Sequence, residues 1–179
     1  MPMPTTIFPT WPHLVFAVFE PISLIGGWLC PILDLQGFVL DQIPSAAPKA
    51  LPVAAAVAAG VAPTAPKEVE IHATSVALAY QLANLYGLLA ILGAGVIHAT
   101  SEPKVLRNYL VALAVADVGH IYVTYLAMGP ELFFDVAGWN VLTWGNVGAT
   151  AFLFVNRILY FLGVFGYAQG PEARKIKEI

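Results

Sequence analysis

The chain has 179 residues, of which 59% are hydrophobic and only 11% are charged. Soluble domains carry about a quarter charged residues, so an ordinary soluble globular domain is excluded. A net charge of -3 with 8 Lys and Arg residues leaves no basic surface for a nucleic-acid partner. The one cysteine, Cys30, allows neither an internal disulfide nor a metal site built from cysteines of this chain.

Four stretches of the chain are long and apolar enough to cross a bilayer, which takes about 20 helical residues. Tryptophan and tyrosine lie mostly near the ends of these stretches, as is typical of the membrane interface. The sequence therefore predicts an all-α fold, a single membrane domain that forms a bundle of four transmembrane helices. The predicted spans are approximately 13–33, 75–98, 106–128 and 141–167.

A long loop, 34–74, joins the first two predicted spans and is rich in Pro and Ala. Prolines bracket its alanine-rich run, 54–62, which is too short to cross a bilayer. The run is either an interfacial helix or part of a low-complexity linker, and the composition favours the linker. The sequence indicates no function for this loop.

The distribution of basic residues predicts the orientation of the chain, because Lys and Arg favour cytosolic loops. Five basic residues fall on the side of the loop between spans two and three and of the tail, 168–179, and two fall on the other side. Both termini are therefore expected in the cytosol. Lysines three and five positions from the carboxyl end resemble the retrieval signal of endoplasmic-reticulum membrane proteins, although a basic tail that simply follows the charge rule is an equal alternative.

Four Asp, Glu, His or Arg residues lie well inside the predicted spans, away from their ends: Glu20, Asp117, His120 and Arg157. An Asp or Arg at the centre of a span costs at least about 2.5 kcal/mol, so such groups face protein or water and are candidates for chemistry. Each span also carries a polar stripe at helical spacing, and the simplest arrangement turns all four stripes toward one polar cavity within the membrane.

Depth along each helix, at about 1.5 Å per residue, suggests which of these groups meet. Glu20 and Arg157 are predicted at similar depths and are expected ion-pair partners. Asp117 and His120 are three residues apart on one helical face, an arrangement in which a carboxylate orients an imidazole for proton transfer. The alternative for both pairs is structural, since interhelical hydrogen bonds also hold small bundles together.

Further polar and aromatic residues are predicted to line the cavity and bind substrate, together with Arg157. A metal site built from His98, His120 and a carboxylate is disfavoured because no second histidine lies deep in a span. No metal and no cofactor is expected. The candidate substrate-binding residues besides Arg157 are Tyr80, Gln81, Asn84, Trp144 and Asn146.

Several short motifs, spread over all four spans, resemble a family of short fungal integral membrane proteins classed under a domain of unknown function. The motifs are Gln81–Tyr86, Asp117-Val118-Gly119-His120, Trp139-Asn140 with Trp144-Gly145-Asn146 and Gly148, and Arg157 with Phe161-Leu162-Gly163. The resemblance implies a fungal source and no reaction. More loosely, buried acids and histidine in four helices are similar to the EXPERA group, which includes the emopamil-binding sterol isomerase. Membrane terpene cyclases of fungal pathways, which have more spans, offer an analogy of chemistry only.

These patterns together predict an intramembrane isomerase or cyclase of fungal terpenoid or sterol-like metabolism, in the endoplasmic reticulum. Its substrate would be a lipophilic small molecule that enters from the bilayer, with Asp117, His120 and Glu20 as catalytic residues. A carboxylic acid held away from water can keep its proton near neutral pH and protonate an alkene or epoxide. Cyclisation templated by the pocket without proton transfer is a variant.

Two other classes of function remain open. The first is a non-catalytic sterol- or lipid-binding protein, or an assembly partner of a membrane enzyme. The second is a proton-coupled transporter, which is less favoured because the four spans show no inverted repeat, although a homodimer would supply the second half.

Overall fold

The computed structural model describes residues 7–44 and 70–168, and these residues form helices and connecting turns without any strand. The all-α prediction is therefore confirmed for the described part of the chain. Five helices are named here in chain order. They are α1 (Thr10–Leu33), α2 (Leu35–Leu40), α3 (Ala73–Ala99), α4 (Pro103–Phe134) and α5 (141–161).

Three of these helices, α1, α3 and α4, are long and apolar enough to cross a membrane. They correspond to the first three predicted spans. The fourth predicted span forms α5, a helical run that is not among the candidate spans found in the described residues. The physical reason is its polarity, since α5 carries Asn146, Asn156 and Arg157 within a short length.

Helix α5 ends earlier than the predicted limit at Tyr167. Gly163 follows the helix with φ +77°, a left-handed conformation that only glycine adopts readily. Its N–H donates to the carbonyl of Tyr160, and the N–H of Val164 donates to the carbonyl of Leu159. These two bonds form a Schellman motif, which closes the helix. In α4, Gly129 has φ +74° and divides a long straight part from a short last segment.

The segment that follows α1 begins with a short helix, not with an irregular linker. Asp34 caps α2 by accepting a hydrogen bond from the N–H of Gly37 at 2.8 Å, so the predicted loop 34–74 begins with a short helix. The Nδ2 of Asn140 donates to the carbonyl of Asp41 at 2.9 Å and joins the end of this helix to the start of α5. The alanine-rich run and the basic tail beyond Ala168 lie outside the described residues.

The helices pack as two pairs, α1 with α3 and α4 with α5. Helices α3 and α4 are consecutive and joined by a short turn, yet they make few contacts with each other. The apolar core lies at one end of the bundle, where residues of α1, α3, α4 and α5 meet. It includes Val15, Phe16, Ile97, Leu106, Leu110, Leu153 and Tyr160.

The α1–α3 pair is held by small residues, which allow two helices to approach closely. Each helix places an aromatic ring on a glycine of the other. The ring of Tyr86 lies against Gly27, and the ring of Trp28 lies against Gly87. The buried residues of α3 are almost all small: Ala79, Ala83, Gly87, Ala90, Gly93 and Ile97.

Candidate functional site

A buried cluster of three ionisable side chains joins α1, α4 and α5. The guanidinium of Arg157 on α5 donates through Nη2 to Glu20 Oε1 and through Nη1 to Asp117 Oδ2. Arg157 is fully buried, and Glu20 and Asp117 are 6% and 9% exposed. The ion pair that the depth estimate predicts between Glu20 and Arg157 is present, and Asp117 binds the same guanidinium.

Not every polar atom of this cluster is paired. Within residues 7–44 and 70–168, Glu20 Oε2 and Arg157 Nε are buried and have no hydrogen-bond partner. The guanidinium carbon of Arg157 lies 5.3 Å from the centre of the Phe16 ring, so the ring covers one side of the cation. If all three groups are ionised, two carboxylates face one guanidinium and the cluster carries one net negative charge.

Two π-helical turns, which are wider than α-helical turns, precede Glu20 and Arg157 in the chain. In α1, a π-helical turn at Leu14–Phe19 directly precedes Glu20, and Pro21 follows it. Pro21 has no backbone N–H, so α1 lacks one hydrogen bond next to this widened turn. In α5, a second π-helical turn at Trp144–Ala149 precedes the α-helical part that carries Arg157. Such turns occur often at functional sites in helical proteins.

A cavity of about 430 Å³ lies between the two helix pairs, and Glu20 and Asp117 form part of its wall. Phe38 of α2 lies at its edge, and most of the other lining residues are apolar or small. Apart from the Tyr86 hydroxyl of α3, the polar side chains in the wall are few and come from α1, α4 and α5. They are Glu20, Ser23, Asp117, His120, Asn146 and Thr150.

The predicted partnership of Asp117 with His120 is not the one found in the structure. Both residues line the cavity, but the Asp117 carboxylate accepts from Arg157, and no hydrogen bond joins it to His120 in the described residues. The His120 ring is close to the Asn146 side chain, whose Nδ2 donates to Gln42 Oε1 at 3.3 Å. The nearby guanidinium attracts the carboxylate more strongly than a neutral imidazole does.

Four of the candidate substrate-binding residues are exposed and absent from the cavity wall: Tyr80, Gln81, Asn84 and Trp144. The first three lie on α3, which turns its stripe of small residues inward because close packing against α1 stabilises that face. Trp144 makes an edge-to-face contact with Trp139, with ring centres 5.1 Å apart. Asn146 is in the wall, and Arg157 lies behind it in the ion cluster.

Tyr86 of α3 lines the cavity. The polar stripe predicted for this helix includes Tyr80 and Asn84 but not Tyr86. The signal that would have found it is the spacing of small residues at 79, 83, 87 and 90, which marks the packed face of α3. Tyr86 lies beside that face. Within residues 7–44 and 70–168, no three His, Cys, Asp or Glu side chains form a group suited to a metal ion.

Comparison with known proteins identifies the family of this chain but does not indicate a reaction. No curated protein and no solved structure matches the chain. A family described as a domain of unknown function, DUF7704, matches residues 5–167. The match spans all five helices, the ion cluster and the cavity wall. The chain therefore belongs to the DUF7704 family.

Proposed function

We propose that this protein is an intramembrane enzyme that isomerises or cyclises a lipophilic substrate of terpenoid or sterol-like structure. The observation that carries the proposal is Glu20 Oε2, a buried carboxyl oxygen without a partner among the described residues, in the wall of a largely apolar cavity. A carboxylic acid in such surroundings is suited to protonate an alkene or epoxide, because water does not compete for its proton.

The charge of the cluster suggests which carboxyl group carries the proton. A net charge inside a membrane is costly, and one proton on the cluster removes it. Oε1 of Glu20 already accepts from Arg157, so a proton on Oε2 would leave that hydrogen bond intact, and the Glu20 side chain forms part of the cavity wall. Asp117 then remains the anionic partner of Arg157. The proposed acid is therefore Glu20, whereas the spacing in the sequence favours Asp117 with His120.

The proposed reaction balances without any cofactor. For an isomerisation, the Glu20 carboxyl gives its proton to one alkene carbon, and the electron pair of the double bond forms the new C–H bond. The carbocation that results then loses a proton from a neighbouring carbon to His120, which lines the same cavity. Substrate and product have equal mass, and the proton returns from His120 to Glu20 before the next turnover. In a cyclisation, attack by a second double bond on the carbocation precedes the loss of the proton.

The membrane arrangement that goes with this function is a bundle of four spans, with α5 as the fourth. Helix α5 packs along α4 and carries Arg157 to the depth of Glu20 and Asp117. A lipid-soluble substrate would reach the cavity from the bilayer, and the few contacts between α3 and α4 favour entry on that side. We further propose residence in the endoplasmic reticulum with both termini in the cytosol, on the strength of the basic tail.

The test is metabolite profiling by mass spectrometry of the source organism after deletion of the gene. The deletion strain is complemented with the wild type, with Glu20→Gln, or with Glu131→Gln, which changes an exposed carboxylate outside the cavity. We expect one lipophilic compound to vanish on deletion while a precursor of equal mass accumulates. The wild type and Glu131→Gln should restore the product, and Glu20→Gln, at equal protein level in the membrane, should not.

A non-catalytic lipid- or sterol-binding protein is the second candidate, and the largely apolar wall of the cavity favours it. This function needs no proton transfer, so complementation by Glu20→Gln would be complete. Restoration of the product by Glu20→Gln would therefore overturn the enzyme proposal and support binding.

A further inference from the structure

A second, smaller cavity lies at the end of the bundle where α4 begins and α5 ends. It has a volume of about 260 Å³ and shares no lining residue with the large cavity. Three aromatic rings from α5 and the segment after it, a proline and an arginine form most of its wall. The lining residues are Pro103, Arg107, Tyr160, Phe161, Tyr167 and Ala168.

Among the described residues, the wall of this smaller cavity carries one cation, Arg107, and the nearest acid along the chain, Glu102, is the exposed N-cap residue of α4. Arg107 and Lys104 lie near the start of α4, where the helix dipole favours acids, and the first turn of α4 contains no acidic residue. Among the described residues no carboxylate forms an ion pair with Arg107, since the ion pairs found there are those of Arg157. The lining side chains themselves include no carboxylate.

The smaller cavity also offers a buried hydrogen-bond donor. Tyr160 is 5% exposed, and its hydroxyl oxygen accepts from the N–H of Ala168 at 3.3 Å. Because that oxygen serves as the acceptor in this bond, the hydroxyl hydrogen remains able to donate to a ligand. Tyr160 and Arg107 line the same cavity, so it offers both a hydroxyl donor and a guanidinium donor to an anionic group.

We propose that this smaller cavity binds the phosphate group of an anionic membrane lipid. The cavity lies where a membrane-spanning helix begins, which is the level of the lipid phosphates, and aromatic side chains are suited to that zone. The same end of the bundle is the predicted cytosolic side, whose leaflet is the richer in anionic lipids. Arginine binds a phosphate with two parallel hydrogen bonds, and Tyr160 adds a third donor.

The test uses the full chain, purified in a non-ionic detergent and examined by native mass spectrometry. Dioleoyl phosphatidic acid and dioleoyl phosphatidylcholine are added in separate titrations. We compare the wild type with Arg107→Gln and with Lys104→Gln, which removes a charge from the same turn but is not a lining residue. Loss of a charged hydrogen bond should weaken phosphatidic acid binding at least about tenfold in Arg107→Gln and much less in Lys104→Gln.

Circular dichroism and thermal unfolding show whether each variant remains folded. Equal binding of the two lipids by the wild type, or equal weakening in both variants, would overturn the proposal. A third titration adds inorganic phosphate to the complex with phosphatidic acid. Displacement by millimolar phosphate would assign the cavity to a soluble phosphate and overturn the lipid assignment, whereas retention of the lipid supports it. The outcome is independent of the enzyme proposal, because no residue of the larger cavity is changed.

Discussion

Glu20 of α1 and Asp117 of α4 bind the same guanidinium, one at each terminal nitrogen of Arg157. Residues far apart in the chain and on three different helices are thereby joined in one buried cluster. The cluster holds together two helix pairs that otherwise enclose a cavity. It is thus part of the framework of the bundle, and its two carboxylates form part of the cavity wall.

Replacement of the shared cation should strongly destabilise the bundle. Arg157→Gln leaves two buried carboxyl groups without their partner, and loss of one member of a buried ion cluster typically costs about 3–5 kcal/mol. Thermal unfolding of the purified protein in detergent should show a clear fall in the midpoint. As a control, Arg107→Gln removes an exposed arginine and should change the midpoint little. Unfolding of Arg157→Gln at the wild-type temperature would show that the cluster does not support the fold.

The two carboxyl groups should respond unequally when each is replaced by its amide. Glu20→Gln resembles the proposed neutral acid and should lower the free energy of unfolding by less than about 1 kcal/mol. Asp117→Asn removes the anion that balances Arg157 and should cost about 3–5 kcal/mol. Chemical unfolding of both variants under the same conditions makes the comparison. The reverse order of stabilities would place the proton on Asp117 and remove Glu20 from the role of acid.

The contact of Tyr86 with Gly27 should make position 27 intolerant of a larger side chain. A β-carbon there would lie 2.9 Å from Tyr86 Cδ2, so Gly27→Ala has to displace the ring or part α1 from α3. Overpacking of this kind costs about 1–3 kcal/mol. Gly26→Ala is the matched control, because its β-carbon meets nothing within 4 Å. It should instead stabilise the helix by about 0.4–1 kcal/mol. Equal unfolding midpoints for the two variants would contradict this packing.

Asn140 should stabilise both the start of α5 and the end of α2. Its Oδ1 accepts from the N–H of Thr143 at 2.8 Å, and its Nδ2 donates to the carbonyl of Asp41. Asn140→Ala loses these bonds and a third one, from the Thr143 hydroxyl to Oδ1 at 2.9 Å, and should cost about 1–2 kcal/mol. Asn140→Ser keeps a capping oxygen and loses only the bond to Asp41. Hydrogen exchange of the Thr143 amide should accelerate in Asn140→Ala and stay slow in Asn140→Ser. Similar exchange in both would show that the cap contributes nothing.

The sequence predicted the fold better than it predicted the cavity wall, for reasons visible in single residues. Hydropathy alone predicts the positions of α1, α3 and α4 in the sequence. The depth of each residue along its helix predicts the ion pair of Glu20 with Arg157. The second carboxylate on Arg157 was not foreseen, because depth does not report how a helix is rotated. The rotation of α3 follows from its small residues, which pack inward and leave Asn84 outside.

The two π-helical turns have a consequence for how homologous chains should be aligned. A π turn is an α-helix with one residue inserted, and each residue of an α-helix advances the side-chain direction by about 100°. The extra residue in the turn at Leu14–Phe19 therefore rotates Trp11 about the helix axis, relative to Glu20, by about 100° compared with a regular α-helix. A relative with one residue fewer in this turn would keep the ion cluster and rotate only the first turn of α1. A single-residue gap at Leu14–Phe19 is thus compatible with an unchanged ion cluster, whereas a gap between Glu20 and Gly27 is not. A gap at Trp144–Ala149 would keep Arg157 in place but would rotate Asn146 in the cavity wall.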